Sequence, residues 1–298
     1  MKKNKKSNLT LIVLCCLMIL YLINSTFITK HILIYTKLFI EKLFPASFLF
    51  FTFSTLLIEY QGIEKISSLL KINSASAFCF LMSLISGFPS GSKYTKELLE
   101  KKLITEDKAN YLLQFTHFPN PIFILGPVSL LFPNKKYGRI ILFSIIISNL
   151  IIAVVKRTKE NSYLPQSKKE PPTLSKILPK AISSSIKTLI LIYGTSIFFY
   201  LIITIINYYI HLPLKEYILL NGLFDLTNGI FLTSLITNPT IRGIFIIFFI
   251  SFGGISVHMQ TKSILTDTPI KYKSFFQGRI IGTILSLTIF LLLNHIFH

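Results

Sequence analysis

The chain has 298 residues, of which 51% are hydrophobic and only 14% charged, with a formal net charge of +19. A soluble domain carries closer to about 25% charge, so this balance and a mean hydropathy of +0.62 exclude an ordinary soluble protein and point to an integral membrane one. Nucleic acid is not the expected partner of the positive charge, because no aromatic–basic module accompanies it. Its lysines and arginines fall mainly between apolar runs, where they set orientation and meet anionic lipid.

The first eight residues carry Lys2, Lys3, Lys5 and Lys6, and the stretch from Leu9 to Ile28 follows without a charge. No small-residue cleavage site follows it, and its length suits a spanning helix of about 20 residues. A signal anchor with its N-terminus in the cytoplasm is expected. Leu43 to Ile58 reads as a second helix, left through Glu59-Tyr60-Gln61-Gly62. Ser74 to Ile85 is short for a span, and its small residues favour close helix packing. It runs into Ser86-Gly87-Phe88-Pro89-Ser90-Gly91-Ser92-Lys93, so a half-helix or re-entrant helix is expected there.

Leucines at helical spacing among charges, from Tyr94 to Phe115, read as an amphipathic surface hairpin with Thr105 as N-cap and Glu106 and Asp107 in the following first turn. His117-Phe118-Pro119-Asn120-Pro121 then interrupts the helix, since a proline removes a backbone donor and frees a carbonyl. Ile140 to Val155 is a further span. The stretch from Lys156 to Lys180, with Pro165, Pro171, Pro172, Pro179 and seven basic residues, is the linker that divides the chain. By the positive-inside rule it is cytoplasmic.

Thr188 to Ile210 is a long apolar helix. Ile218 to Ile236 is another, with Asp225, Thr227 and Asn228 in its interior; an aspartate there is costly and faces a partner or a cavity. Gly243 to Val257 leads into Phe249-Ile-Ser-Phe-Gly253-Gly254-Ile-Ser256-Val-His258-Met-Gln260, a second glycine break, and Ile280 to Phe297 is the last helix. Glu59 precedes Gly87 by the interval at which Asp225 precedes Gly253. The expected fold is therefore an all-α integral membrane bundle, polytopic and transporter-like, with discontinuous or re-entrant helices in two pseudo-repeated halves. Its one membrane domain divides into 1–155, the basic linker 156–180, and 181–298. Cys15, Cys16 and Cys79 lie in apolar runs without metal or disulfide spacing, so neither metal nor cofactor is expected.

Four motifs carry a family resemblance: Ser86 to Lys93, Pro121-Ile-Phe-Ile-Leu-Gly126, Leu223-Phe-Asp225-Leu-Thr227-Asn228-Gly229, and Ser251 to Gln260. In that order, across roughly residues 40 to 280, they resemble the YlbJ family of sporulation integral membrane proteins, within the wider group bearing the nucleoside-recognition, or Gate, domain. Members of that family usually run longer and more often carry Glu where Asp225 stands. The resemblance implies a multi-pass cell-membrane protein related to nucleoside-transporter gates. In spore formers it implies movement of dipicolinic acid.

The residues themselves supply candidate chemistry. Gly87, Pro89 and Gly91 permit a tight non-helical turn; Ser90 and the helix start beyond it, with Lys93, make a seat for a carboxylate. The Walker A spacing is absent. Gly253, Gly254, Ser256, His258 and Gln260 offer hydroxyl, imidazole and amide groups to a planar heteroaromatic acid. Asp225, Thr227, Asn228 and Asn120 are the other expected substrate-binding positions, with Asp225 alternatively paired to Lys93 or holding a coupling ion. Each motif also has a plainer reading: a turn whose Lys93 snorkels, or an interface His258. No H-E-x-x-H or paired intramembrane aspartates occur, and Ser90 with His258 or His117 is the only dyad set, so no enzyme is expected. The expected function is a transporter of a small anionic metabolite working by alternating access between two broken helices. A nucleoside or nucleobase transporter is the alternative, as is an assembly or regulatory partner without transport. The bilayer and the anion are the expected partners; a homo-oligomer stays open.

Overall fold

A computed structural model describes residues 2–59, 75–156 and 173–297. Most of the 156–180 linker, Ser74 and Gly62 lie outside the described residues. Among the described residues the secondary structure is helical, without a strand. The chain is an all-α membrane bundle, and among the described residues four helices are long and apolar enough to cross a bilayer, or five if a bent N-terminal pair makes one span.

That pair is α1 (Lys2–Ile23) and α2 (Ser25–Leu38). The sequence reads as one helix to Ile28, yet the chain turns by 94° at Asn24. The Asn24 amide donates to the Leu20 carbonyl at 2.8 Å and to the Tyr209 hydroxyl at 2.9 Å, so a side chain competes with the helix ladder where the axis bends. A π-helical turn at Phe39–Leu43 leads into α3 (Phe44–Glu59).

Two short helices flank the first break, α4 (Ala75–Ser86) and α5 (Ser90–Glu100). After α6 (Glu106–Leu112), whose predicted cap Thr105 accepts from Lys108 N, the chain crosses the second break. It resumes as α7 (Pro121–Leu131), with Asn120 accepting from Ile122 N and Pro121 in its first turn, a placement that costs proline nothing. α8 (Lys136–Val155) is a span.

α9 (Leu174–Tyr209) is longer than its apolar stretch, beginning inside the sequence-expected linker. Pro179 lies within its second turn and removes one ladder donor. α10 (Leu214–Phe224) and α11 (Leu226–Leu232) are separated at Asp225, where a single helix over 218–236 is expected from hydropathy. Asp225 is extended (φ −134°, ψ 108°), and its carboxylate accepts from Asn228 N, capping α11. α12 (Pro239–Phe252), α13 (Gly254–Ile264) and α14 (Tyr272–Ile296) complete the bundle.

The packing is layered by these spans: α8 lies on α14, α3 on α9, α12 on α14, and α9 on α13. One core gathers around Leu112, Phe115 and Phe275, and another around Phe118, Ile247 and Phe249. Outward faces are apolar too; Val155 is 77% exposed and Ile284 61%. Such a surface suits lipid rather than water, because a lipid-facing helix satisfies its own backbone.

Candidate functional site

Four interruptions of helix meet in the interior. At the first, Gly87 has φ +76°, a region that side-chain-bearing residues avoid. An added Cβ there would lie 2.7 Å from Asn120 N, and one on Gly91 would lie 1.8 Å from the Thr116 carbonyl oxygen. The first break is thus seated directly on the second, Thr116 to Asn120. At the fourth, Gly253 (φ +100°) ends α12 and Gly254 (φ +60°) starts α13. A Cβ on Gly254 would lie 2.9 Å from the Gly222 carbonyl oxygen and 3.4 Å from Leu226 N, so this break sits on the third, at Asp225.

Between them lies a cavity of about 160 Å³. Of the sequence-predicted site residues it brings Gly87, Asn120, Thr227 and Gln260 to one wall-to-wall space. Phe39, Phe88, Ile192 and Val257 make much of the remaining surface, and Ser47, Ser86 and Ser196 add hydroxyls.

Other predicted residues stand behind this lining. Lys93 does not face the cavity; its Nζ donates to Ser184 Oγ at 2.8 Å and Thr55 Oγ1 at 3.3 Å. It makes no ion pair with Asp225, because its reach is used toward α3 and α9. Ser90 donates to the Gly87 carbonyl and closes the turn after Pro89. Asp225 is 1% exposed. Its Oδ2 accepts from the Tyr35 hydroxyl at 3.0 Å and from Asn228 N at 3.1 Å, while Oδ1 has no hydrogen-bond partner. Asn228 donates to Asn221 Oδ1 at 2.8 Å, bridging the third break.

His258 is also occupied. One ring nitrogen lies 2.9 Å from the Phe252 carbonyl and the other 2.7 Å from the Tyr272 hydroxyl. A carbonyl only accepts, so Nε2 carries the proton and Nδ1 accepts from Tyr272. Ser256 is buried with its Oγ unpartnered, away from the cavity lining. Gln260 donates to Ser196 Oγ at 3.3 Å and leaves Oε1 without a partner. Among the described residues no group of His, Cys, Asp and Glu has metal-holding geometry.

Sequence reasoning missed Arg279, buried to 1% exposure in α14. Its guanidinium donates to the backbone carbonyls of Gln114, His117 and Ser251, at 3.1 to 3.3 Å, and to Asn149 Oδ1 at 3.4 Å. One cation therefore ties the second break, the end of α12, and α8 together. The signal was a charge near an apolar run. The apolar pattern starts the last helix only at Ile280, which leaves Arg279 just outside it.

The sporulation integral membrane protein YlbJ of Bacillus subtilis (strain 168) is 28% identical to this chain over 293 aligned residues, which take in 81% of this chain and 71% of the relative. The chain is thus similar to YlbJ, and it is an integral membrane protein. No family model matches it, and no solved structure does. The cavity takes part of its lining from all four motifs on which the sequence resemblance rests, and the rest mainly from α3, α9 and the turns beside them.

Proposed function

We propose that this YlbJ-like protein moves a small anionic metabolite across the bilayer by exposing the chamber between its broken helices alternately to the two sides. Dipicolinate, in a sporulating cell, is the substrate that the family resemblance implies. The cavity carries this reading: non-helical backbone survives at membrane depth only inside protein or against a water-filled space, and here Gly87 and Asn120 of the first two breaks, with Thr227 and Gln260 of the helices that follow the other two, line one cavity. Its roughly 160 Å³ is close to the ~150 Å³ of an engineered cavity that holds benzene, so one aromatic ring fits. Asn120, Thr227 and Gln260 can hold its polar edge. The positive-inside bias puts the N-terminus and the 156–180 linker in the cytoplasm. The role is transport, without covalent chemistry.

One observation favours a second reading. Among the described residues no charged side chain lines the cavity, which suits a neutral nucleobase as well as a ring bearing carboxylates. Purified protein in liposomes decides between them. Uptake of labelled dipicolinate that exceeds uridine uptake, and that falls in Gln260→Leu, is the expected result. Uridine uptake without dipicolinate uptake makes the nucleobase reading the correct one. No flux of either leaves an assembly or regulatory partner.

A further inference from the structure

Among the described residues no cation lines this chamber, but a buried one, Arg279, bonds the backbone of a residue whose ring stacks on the chamber wall. Phe88 forms part of the cavity wall, and its outer face stacks on His117, with ring centroids 4.9 Å apart and planes within 12°. His117, Ser251 and Arg279 are 3%, 3% and 1% exposed. They lie within reach of one guanidinium: Arg279 Nη1 donates to both the His117 and the Ser251 carbonyls, at 3.3 and 3.2 Å.

Polar atoms of all three side chains are unpartnered. Arg279 Nε, both ring nitrogens of His117 and Ser251 Oγ are buried without a hydrogen bond. A neutral imidazole keeps one N–H, so the cluster holds three donors: guanidinium, imidazole and hydroxyl. Among the described residues no carboxylate pairs with Arg279. A buried cation without a counter-charge is costly, and a buried donor left unmade is costly as well. An anion answers both deficits at once.

We propose that Arg279 Nε, His117 and Ser251 Oγ form a buried seat for a small anion, reached from the chamber past the ring of Phe88. Its ligand chemistry is a carboxylate or an inorganic anion of similar size. This deepens the transport reading and rests on it where the ligand is the substrate's carboxylate: the aromatic ring occupies the chamber while one carboxylate displaces Phe88 and reaches the cluster. The seat lies between the second and fourth breaks, because His117 belongs to one and Ser251 to the end of α12, two residues before Gly253. Its filling therefore bears on both walls of the chamber.

The test uses the full chain in detergent, with thermal unfolding as the readout. The arms are dipicolinate, picolinate, uridine, and chloride against gluconate at constant ionic strength. Stabilisation by dipicolinate and picolinate and none by uridine is expected. In Ser251→Ala, which keeps the backbone carbonyl that Arg279 uses, the apparent affinity falls about tenfold or more, as for loss of a hydrogen bond to a charged group. Arg279→Lys, which keeps the charge and loses Nε, weakens it as well. Chloride stabilisation over gluconate that is lost in Ser251→Ala, without any dipicolinate effect or flux, supports the seat, assigns it to an inorganic anion and removes the dipicolinate reading. Dipicolinate flux in liposomes, with affinity unchanged in both Ser251→Ala and Arg279→Lys, overturns the seat and spares transport. Equal stability in every salt and ligand overturns the seat as well.

Discussion

Gly87→Ala isolates the junction on which the chamber is built. Two costs act together. At φ +76° a residue with a Cβ loses roughly 1–2 kcal/mol relative to glycine. The added methyl also falls 2.7 Å from Asn120 N and 3.0 Å from its Cα and Cβ, and relieving such overpacking costs about 1–3 kcal/mol. The sum, about 2–5 kcal/mol, becomes a fall in melting temperature of about 4–10 °C at ~2 °C per kcal/mol for a chain of this size. Thermal unfolding in detergent measures it, with Gly194→Ala as control. Gly194 lies inside α9 with no atom within 4 Å of the added Cβ, so that substitution should be neutral or stabilise by up to about 1 kcal/mol. If Gly87→Ala melts within a degree of Gly194→Ala, the two breaks are not seated on each other and the chamber as described is wrong.

Three further outcomes can be checked in the same way. In Gly222→Ala the new Cβ meets the Phe249 ring at 2.2 Å, where α10, α11 and α12 converge; a loss of about 1–3 kcal/mol is expected, visible as a lower melting temperature. Asp225→Ala removes the cap of α11 and the acceptor for Tyr35 and should cost about 2 kcal/mol, whereas Asp225→Asn, which still caps, should cost less than half of that. Arg279→Met leaves three backbone carbonyls and Asn149 Oδ1 without their donor. Relief of the buried charge offsets part of this, and a net loss of about 3 kcal/mol is expected in denaturant unfolding.

The membrane class and the breaks at Gly87 and Gly253 were legible because glycine, proline and hydroxyls interrupt apolar runs there. The Thr105 cap was legible for a related reason, a hydroxyl placed just before an acidic first turn. Asp225 was legible as costly but not as a break, since neither glycine nor proline marks it; the helix parts because a side-chain carboxylate out-competes the ladder for Asn228 N. The bend at Asn24 was hidden in the same way, by an amide bonding its own turn. Membership of the cavity was legible only in part: Gly87, Asn120, Thr227 and Gln260 line it, and the other expected positions do not. Lys93 and Gln260 both follow a glycine break by a few residues, yet one turns toward Ser184 and the other toward Ser196 and the chamber. That difference is set by which helices pack alongside, which local pattern does not encode. Arg279 shows the same limit, because its partners come from three separate segments.

The most direct test of a water-accessible chamber at membrane depth is labelling of Thr227→Cys, with Cys15, Cys16 and Cys79 replaced by Ser, in sealed vesicles. The protein as described predicts that a membrane-impermeant thiol reagent modifies this position in the folded protein, and that dipicolinate slows the modification. A thiol that reacts only after unfolding would contradict it.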